Sequence, residues 1–426
     1  MQQQALQGMR ERLGPAGFTD DASDLAPWLT DWRGWRTGRA LAMASPASLE
    51  EVRFVVQAAV AERIPIVPQG GNTSMVAGAT PEADGQAIIL SLRRMRRIRA
   101  VSIEDNALVA EAGVVLTQVH DAAAAAGRLF PLSLGAKGSA TVGGLVSTNA
   151  GGVQVLRYGT MRALTLGVEA VLPDGTVHHG LKALRKDNRG YDLKHLLIGA
   201  EGTLGVVTAA TLALVPRPVE RAVAWVGLAR LDTALLLLRR LEAATGGQIS
   251  SFEIVPQAGL DLVTHHVAAA RAPLAGRHQW HVLIEADTSR PGDPLADAMR
   301  DSLGAAVESG EVADAVIAGS EAQAEALWLL RESLPEAERR EGGAAKHDIA
   351  VPVADMPAFI IQTAPAVESA FPGARVLAFG HLGDGNVHFN VRAPEGADGE
   401  AWLRQNSGAI NRFVDDAVVA MGGTIS

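Results

Sequence analysis

The chain of 426 residues contains no cysteine. That excludes a disulfide scaffold, a CxxC redox pair, a Cys-ligated zinc or iron–sulfur site and a thiol nucleophile. Long apolar runs are also missing. The longest leucine cluster is Leu235 to Leu238, far short of the roughly 18–20 residues a membrane helix needs. The opening Met1-Gln2-Gln3-Gln4 has neither an apolar stretch nor a cleavage site, so no signal peptide is expected. Basic residues are in deficit, 38 Lys and Arg against 47 Asp and Glu, for a formal charge of −9. A nucleic-acid binder would present a basic face to phosphates, so that class is set aside. No GxxxxGK[ST] occurs, which argues against a P-loop NTPase. Nor does a GxGxxG join an opening strand to a helix, so an ordinary nicotinamide site lacks its fingerprint. What is present is a hydrophobic content of 48%, enough for a sizeable core. At about 100–200 residues per domain, two domains or three are expected. The expectation is a soluble, acidic, cytoplasmic protein of the α/β class.

Glycine clusters at 70–78, 135–152, 199–205 and 380–385, which marks turns and close backbone approach. Between the clusters, helical and strand patterns alternate. Ser45-Pro46 reads as a helix start, followed by Val52, Val55, Val56 and Ala59 at helical spacing. Val168 to Leu172 and the residues from Thr176 read as a β-hairpin turning at Asp174-Gly175. Pro216 and Pro218 mark the boundary between a first domain, 1–218, and a second, 219–398. A last helix, in 399–426, is expected to return toward the first domain. In the second domain Pro335 should break the helical pattern 322–340.

Three of the clusters carry hydrogen-bond donors. Pro68-Gln69-Gly70-Gly71-Asn72-Thr73-Ser74 follows a strand, and adjacent glycines let main-chain N–H groups converge on an anion. The second cluster runs from Pro131 through Gly135, Gly138, Ser139, Thr141, Gly143 and Gly144 to Thr148, Asn149 and Gly151. Its small and hydroxyl residues form a wall against which a planar heterocycle and a pyrophosphate could lie. The third is Gly199-Ala200-Glu201-Gly202-Thr203-Leu204-Gly205-Val206-Val207. Any one cluster alone is met by ordinary turns.

The trio resembles the FAD-binding domain of the vanillyl-alcohol-oxidase and para-cresol-methylhydroxylase (PCMH) type. Within that superfamily, residues 45–426 resemble the D-2-hydroxyacid dehydrogenases: D-lactate dehydrogenase, D-2-hydroxyglutarate dehydrogenase and the glycolate oxidase flavin subunit. The resemblance implies an α+β fold. A PCMH-type FAD-binding domain of two subdomains would join a substrate (cap) domain whose antiparallel sheet is covered by helices. It also implies that Gly70, Gly71, Asn72, Thr73 and Ser74 bind the pyrophosphate. Pro68, Pro131, Gly135, Gly138, Ser139, Thr141, Gly143, Gly144, Thr148, Asn149 and Gly151 would line the flavin. Glu201, Gly202, Gly205, Val206 and Val207 would complete the site. Covalent members carry a histidine in the first loop, where this chain has Asn72 and Thr73, so the FAD is expected to be non-covalent.

His381-Leu382-Gly383-Asp384-Gly385-Asn386-Val387-His388-Phe389-Asn390 reads as a strand, a turn and a second strand. Folding back at the turn brings two imidazoles near each other, and neutral imidazoles suit Zn²⁺ or another borderline divalent metal. Spacing alone is met equally by two ordinary histidines flanking a turn. The resemblance implies that His381 and His388 are metal ligands, that Asn390 faces the substrate, and that Arg331 and Lys346 grip its carboxylate. Arginine suits that role because its planar fork meets a carboxylate bidentately. Some members carry a threonine for a distal carboxylate where Pro335 stands, which puts dicarboxylate specificity in doubt. The family's third ligand and its base lie in a Glu-His-Gly motif, and the chain ends at Met421-Gly422-Gly423-Thr424-Ile425-Ser426 without it. Low turnover is therefore expected, since a general base contributes about 10²–10⁴ in rate.

The resemblance implies oxidation of a D-2-hydroxyacid to the 2-oxoacid, with a quinone, an electron-transfer flavoprotein or another acceptor reoxidising the flavin. A homodimer is compatible with it. The alternative is a non-catalytic or regulatory FAD-binding subunit of a glycolate-oxidase-like complex. His178-His179 and His265-His266 read as surface pairs, which in a strand would point to opposite faces. The basic run Arg93-Arg94-Met95-Arg96-Arg97 reads as a solvated patch or one facing a quinone or partner. Acid precipitation should release the flavin into the supernatant; flavin carried down with the protein would overturn the non-covalent assignment.

Overall fold

A computed structural model describes residues 2–425 and divides the chain into two units. The first comprises the residues up to Gly152 together with Tyr158–Arg217; the second comprises Val153–Arg157 together with the residues from Pro218 onward.

The first unit contains two main sheets. In the smaller, strands Ala42–Ala44 and Ile66–Gln69 both run parallel to Ile88–Ser91, which lies between them. Parallel neighbours need a crossover, and the helix Leu49–Ala61 supplies it. Val52, Val55, Val56 and Ala59 form its buried stripe, as their spacing requires. The helix is capped by Ser48 rather than by Ser45-Pro46. The Ser48 hydroxyl accepts from the Glu51 N–H at 3.2 Å, while the Glu51 carboxylate accepts from the Ala47 N–H at 2.7 Å. Serine three residues before glutamate outcompetes the earlier Ser-Pro as a start signal. The larger sheet is antiparallel, in the order 98–102, 107–111, 206–213, 165–171, 177–179. Its outermost pair is the expected hairpin, with Asp174 accepting from the Thr176 N–H and Gly175 at φ +80°.

The second unit is built on an antiparallel sheet of eight strands, in the order 314–317, 220–228, 280–288, 249–256, 375–381, 386–392, 344–350, 424–425. Period-two alternation gives it two distinct faces. Val387, Phe389 and Val391 point to one face and join a core with Phe359 and Ile360 of helix Met356–Ala370 and with Ile410, Val414 and Val418 of helix Gly399–Ala420. That last helix thus buries its apolar stripe in the second unit. The opposite face carries Trp225, Val255, Leu377 and Phe379, covered by Leu260, Leu327, Trp328 and Leu334 of three further helices. Two of these, Glu321–Glu332 and Leu334–Arg340, are the halves of the pattern that Pro335 was expected to break, and they part at Ser333. Among the described residues no helix is long and apolar enough to cross a membrane.

Candidate active site

Within the first unit the three glycine clusters converge. A Cβ on Gly70 would lie 2.1 Å from the Thr141 hydroxyl, and one on Gly71 would lie 1.9 Å from the Ser139 carbonyl. No side chain fits there, so the two loops, some seventy residues apart in sequence, must touch through glycine. The third cluster closes on both. A Cβ on Gly202 would meet Pro68 at 2.8 Å, Glu201 Oε2 lies against Gly78, and the Glu201 N–H donates to the Ser147 carbonyl. Asn72, Asn149 and Glu201 all adopt positive φ, near +50°. Left-handed backbone at non-glycine residues costs about 1–3 kcal/mol each and gathers where a ligand is held.

Other assigned residues have duties within the fold. Asn149 Oδ1 accepts from the Arg162 N–H, Gly143 packs on Ala112, and Val206 and Val207 are buried strand residues. Gly135 and Gly138 are exposed and face open space. The cradle fits a pyrophosphate: beside Gly70 the Thr141 hydroxyl is buried and has no partner, and an incoming oxygen would complete its hydrogen bonding.

In the second unit, His388 and Asn390 share the helix-covered face with the residues directly opposite them across the sheet. Those are Asp348 and Phe379 for His388, and Lys346 and Leu377 for Asn390. His381 ends the neighbouring strand, with its ring 5.5 Å from that of His388, centroid to centroid, and edge-on to it. Arg331 reaches down from its helix to lie over the Phe379 ring at 5.0 Å. All five residues assigned to the chemistry therefore occur on one covered sheet face.

Two fully buried glutamates that the sequence reading missed hold them there. Glu253, in strand Ile249–Pro256, accepts from Arg331 Nε at 2.8 Å and pairs with His381 Nδ1 at 2.5 Å. Glu338, in helix Leu334–Arg340, accepts from Lys346 Nζ at 3.0 Å and Asn390 Nδ2 at 2.8 Å. Strand 249–256 escaped detection because Ser251 and Glu253 mimic a solvent-facing side. The only sequence signal was the alternation of Phe252 and Ile254 with those polar residues.

Burial opposes charge throughout. It pushes His388 down to about 4, which leaves its imidazole neutral near pH 7. Burial also disfavours charge on His381, but the adjacent Glu253 carboxylate outweighs it and holds His381 above its ordinary value. Glu253 would be raised by burial, yet His381 and Arg331 hold it below the usual carboxylate range. With Nδ1 of His381 committed to Glu253, its Nε2 remains for a ligand, and a carboxylate on the other ring nitrogen is the usual support of a metal-bound histidine. The donor chemistry of His381 and His388 thus fits a divalent cation. Among the described residues no further histidine or carboxylate completes a three-ligand cluster with them.

The adjacent histidines and the arginine run lie at the surface as read, and the structure adds their partners. His265 and His266 end the helix Gln257–His266 instead of lying in a strand, so they are not splayed apart. Their ring centroids are 4.6 Å apart, and His266 Nε2 lies 2.7 Å from Glu341, which also pairs with Arg392. The arginine run is solvated as read, with Arg94, Arg96 and Arg97 exposed and Arg93 half-buried, but three of its guanidiniums also have partners within the fold. Arg93 stacks on Trp28 at 3.4 Å, Arg94 donates to the Ser45 carbonyl, and Arg97 grips the buried Glu111.

Gly71→Ala is expected to push the loop off the Ser139 carbonyl and abolish FAD retention, measured as flavin absorbance per protein after gel filtration. Glu253→Ala should cost about 3–5 kcal/mol in chemical denaturation, because it leaves the buried Arg331 without its carboxylate; a loss below about 1 kcal/mol would refute the bridging role. The pH dependence has a definite sign. Because the folded-state pKa of Glu253 is depressed, its contribution is present above the ordinary value of 4.5 and lost as pH falls through the depressed one. Wild type should therefore lose stability on acidification through that window more steeply than Glu253→Gln.

Comparison with known proteins identifies the family of the chain. Residues 40–180 match the FAD binding domain family, and residues 217–426 match the C-terminal domain of FAD linked oxidases. Mitochondrial D-2-hydroxyglutarate dehydrogenase of Bos taurus is 36% identical over 98% of this chain and 74% of its own. D-2-hydroxyglutarate dehydrogenase of Xanthomonas citri pv. viticola is 36% identical over 100% of this chain and 86% of its own. The fold matches that of p-cresol methylhydroxylase with substrate bound, at a TM-score of 0.75 and 16% identity, over 99% of this chain and 88% of that one. The chain belongs to the FAD-linked D-2-hydroxyacid dehydrogenase family and is an FAD-binding oxidoreductase.

Proposed function

We propose that the protein oxidises a D-2-hydroxyacid of the D-lactate, D-2-hydroxyglutarate or glycolate type to the 2-oxoacid. The observation that carries this reading is the gathering of Arg331, Lys346, His381, His388 and Asn390 on one covered sheet face. Arg331 commits only Nε to Glu253, so its two terminal nitrogens are available to a substrate carboxylate in the side-by-side geometry that guanidinium favours. Lys346, a quarter exposed, adds a second cation. Asn390 orients the α-hydroxyl, and His381 and His388 are the residues that would hold a divalent metal. A metal bound there would supply Lewis acidity, lowering the pKa of the substrate hydroxyl. FAD, held by the three loops of the first unit, supplies the hydride acceptor. Pro335 opens the helix Leu334–Arg340 and offers no hydroxyl to a second, distal carboxylate.

The visible spectrum of the purified protein, recorded anaerobically before and after D-lactate, D-2-hydroxyglutarate and glycolate, tests the reading. The flavin band should bleach with at least one acid. A flavin band that persists with every acid of the panel would refute it.

A further inference from the structure

Glu338 is fully buried, yet only one of its carboxylate oxygens is used. Oε2 receives both Lys346 Nζ, at 3.0 Å, and Asn390 Nδ2, at 2.8 Å, while Oε1 is buried without a partner. Lys346 and Asn390 stand directly opposite each other on adjacent strands, so one atom controls both. A carboxylate serving only the fold would normally be satisfied at both oxygens. One that concentrates its hydrogen bonds on two site residues and leaves its second oxygen idle has been placed for those residues.

The shared oxygen has a chemical consequence for Asn390. An ionised carboxylate only accepts, so Asn390 must turn its NH₂ toward Glu338 and its carbonyl away. The group that Asn390 offers on its other side is therefore an acceptor. A hydroxyl can donate to it, whereas a keto oxygen would meet it lone pair against lone pair. Lys346, held by the same oxygen, offers a cation alongside.

We propose that Glu338 is a positioning residue that fixes Lys346 and the amide orientation of Asn390, so that the site prefers the 2-hydroxyacid to its own 2-oxoacid product. The inference rests on the reading of the previous subsection. It adds a residue that touches neither substrate nor cofactor and a direction of selectivity. Glutamine at 338 keeps the shape but removes the charge, and its amide can present either end, so Asn390 is released to adopt both orientations.

The test uses the FAD-loaded protein with two substrate–product pairs, D-lactate with pyruvate and D-2-hydroxyglutarate with 2-oxoglutarate, and a dye as electron acceptor. For each pair the quantity read is the product inhibition constant divided by the substrate KM. In Glu338→Gln this ratio should fall about tenfold, the worth of one hydrogen bond made or lost, with flavin content unchanged. Glu338→Asp keeps the charge but withdraws the oxygen. It should move the ratio the same way by a smaller factor, and it serves where the glutamine variant does not fold. In an Asn390→Ala background Glu338→Gln should leave the ratio unmoved. A uniform rise in KM with an unchanged ratio would overturn the positioning role alone, as would an equal shift without Asn390. A wild type inert toward both pairs would overturn the functional reading, and this role with it.

Discussion

Glu253, shared between Arg331 and His381, is the interaction on which the second unit depends. A carboxylate with no solvent exposure is costly unless opposite charge and hydrogen bonds surround it. Here a guanidinium and an imidazole do so, from a helix on one side and a neighbouring strand on the other. The arrangement works in both directions, because the same carboxylate allows Arg331 to be buried over Phe379. It also sets which nitrogen of His381 faces outward. The helix, the two strands and the candidate chemistry are thus registered against one another by a single side chain.

The sheet reconciles this polar interior with a stable unit by assigning its two faces different work. One face is apolar, with Val387, Phe389 and Val391 packed under two helices. Burial of each such side chain contributes roughly 1.5–3 kcal/mol, which offsets the desolvation of the charged groups on the other side. Because side chains alternate strictly along a strand, one sequence, Val387-His388-Phe389-Asn390-Val391, serves core and site at once. A slip of one residue would put the imidazole in the apolar core and the phenyl ring among the polar groups of the site.

What was legible in the sequence is what local chemistry encodes. The turn at Gly383-Asp384-Gly385, the break at Pro335 and the hairpin at Asp174-Gly175 follow from single residues. So does the placement of His388 and Asn390 on one face, and the glycine clusters announced close backbone approach. What was not legible depends on partners distant in sequence. Glu253 looks like a solvated strand residue until Arg331 and His381 are brought to it. Glu338 lies in Pro335-Glu336-Ala337-Glu338-Arg339-Arg340, where nothing separates the buried glutamate from the half-buried Glu336. His265 and His266 lie at the surface as read, but they end a helix, where adjacent rings come closer than in a strand. Ser45-Pro46 lost to Ser48 because Glu51 lies at the right distance only from the latter.

The short segment Val153–Arg157 belongs to the second unit although its flanking residues on both sides belong to the first. Ser251 donates to its Val153 carbonyl, Leu156 lies against Gly383, and Arg157 pairs with Asp287. On the ribosome these five residues emerge well before the strands that receive them. The nascent first unit therefore carries a segment whose binding surface does not yet exist, and its two halves are joined through a piece of chain still waiting to dock. At the usual pace of synthesis, about 5–20 residues per second, that wait lasts on the order of ten seconds. Cutting the gene at the boundary near Pro218 would not yield two self-sufficient halves, because the second would lack a segment that only the first encodes.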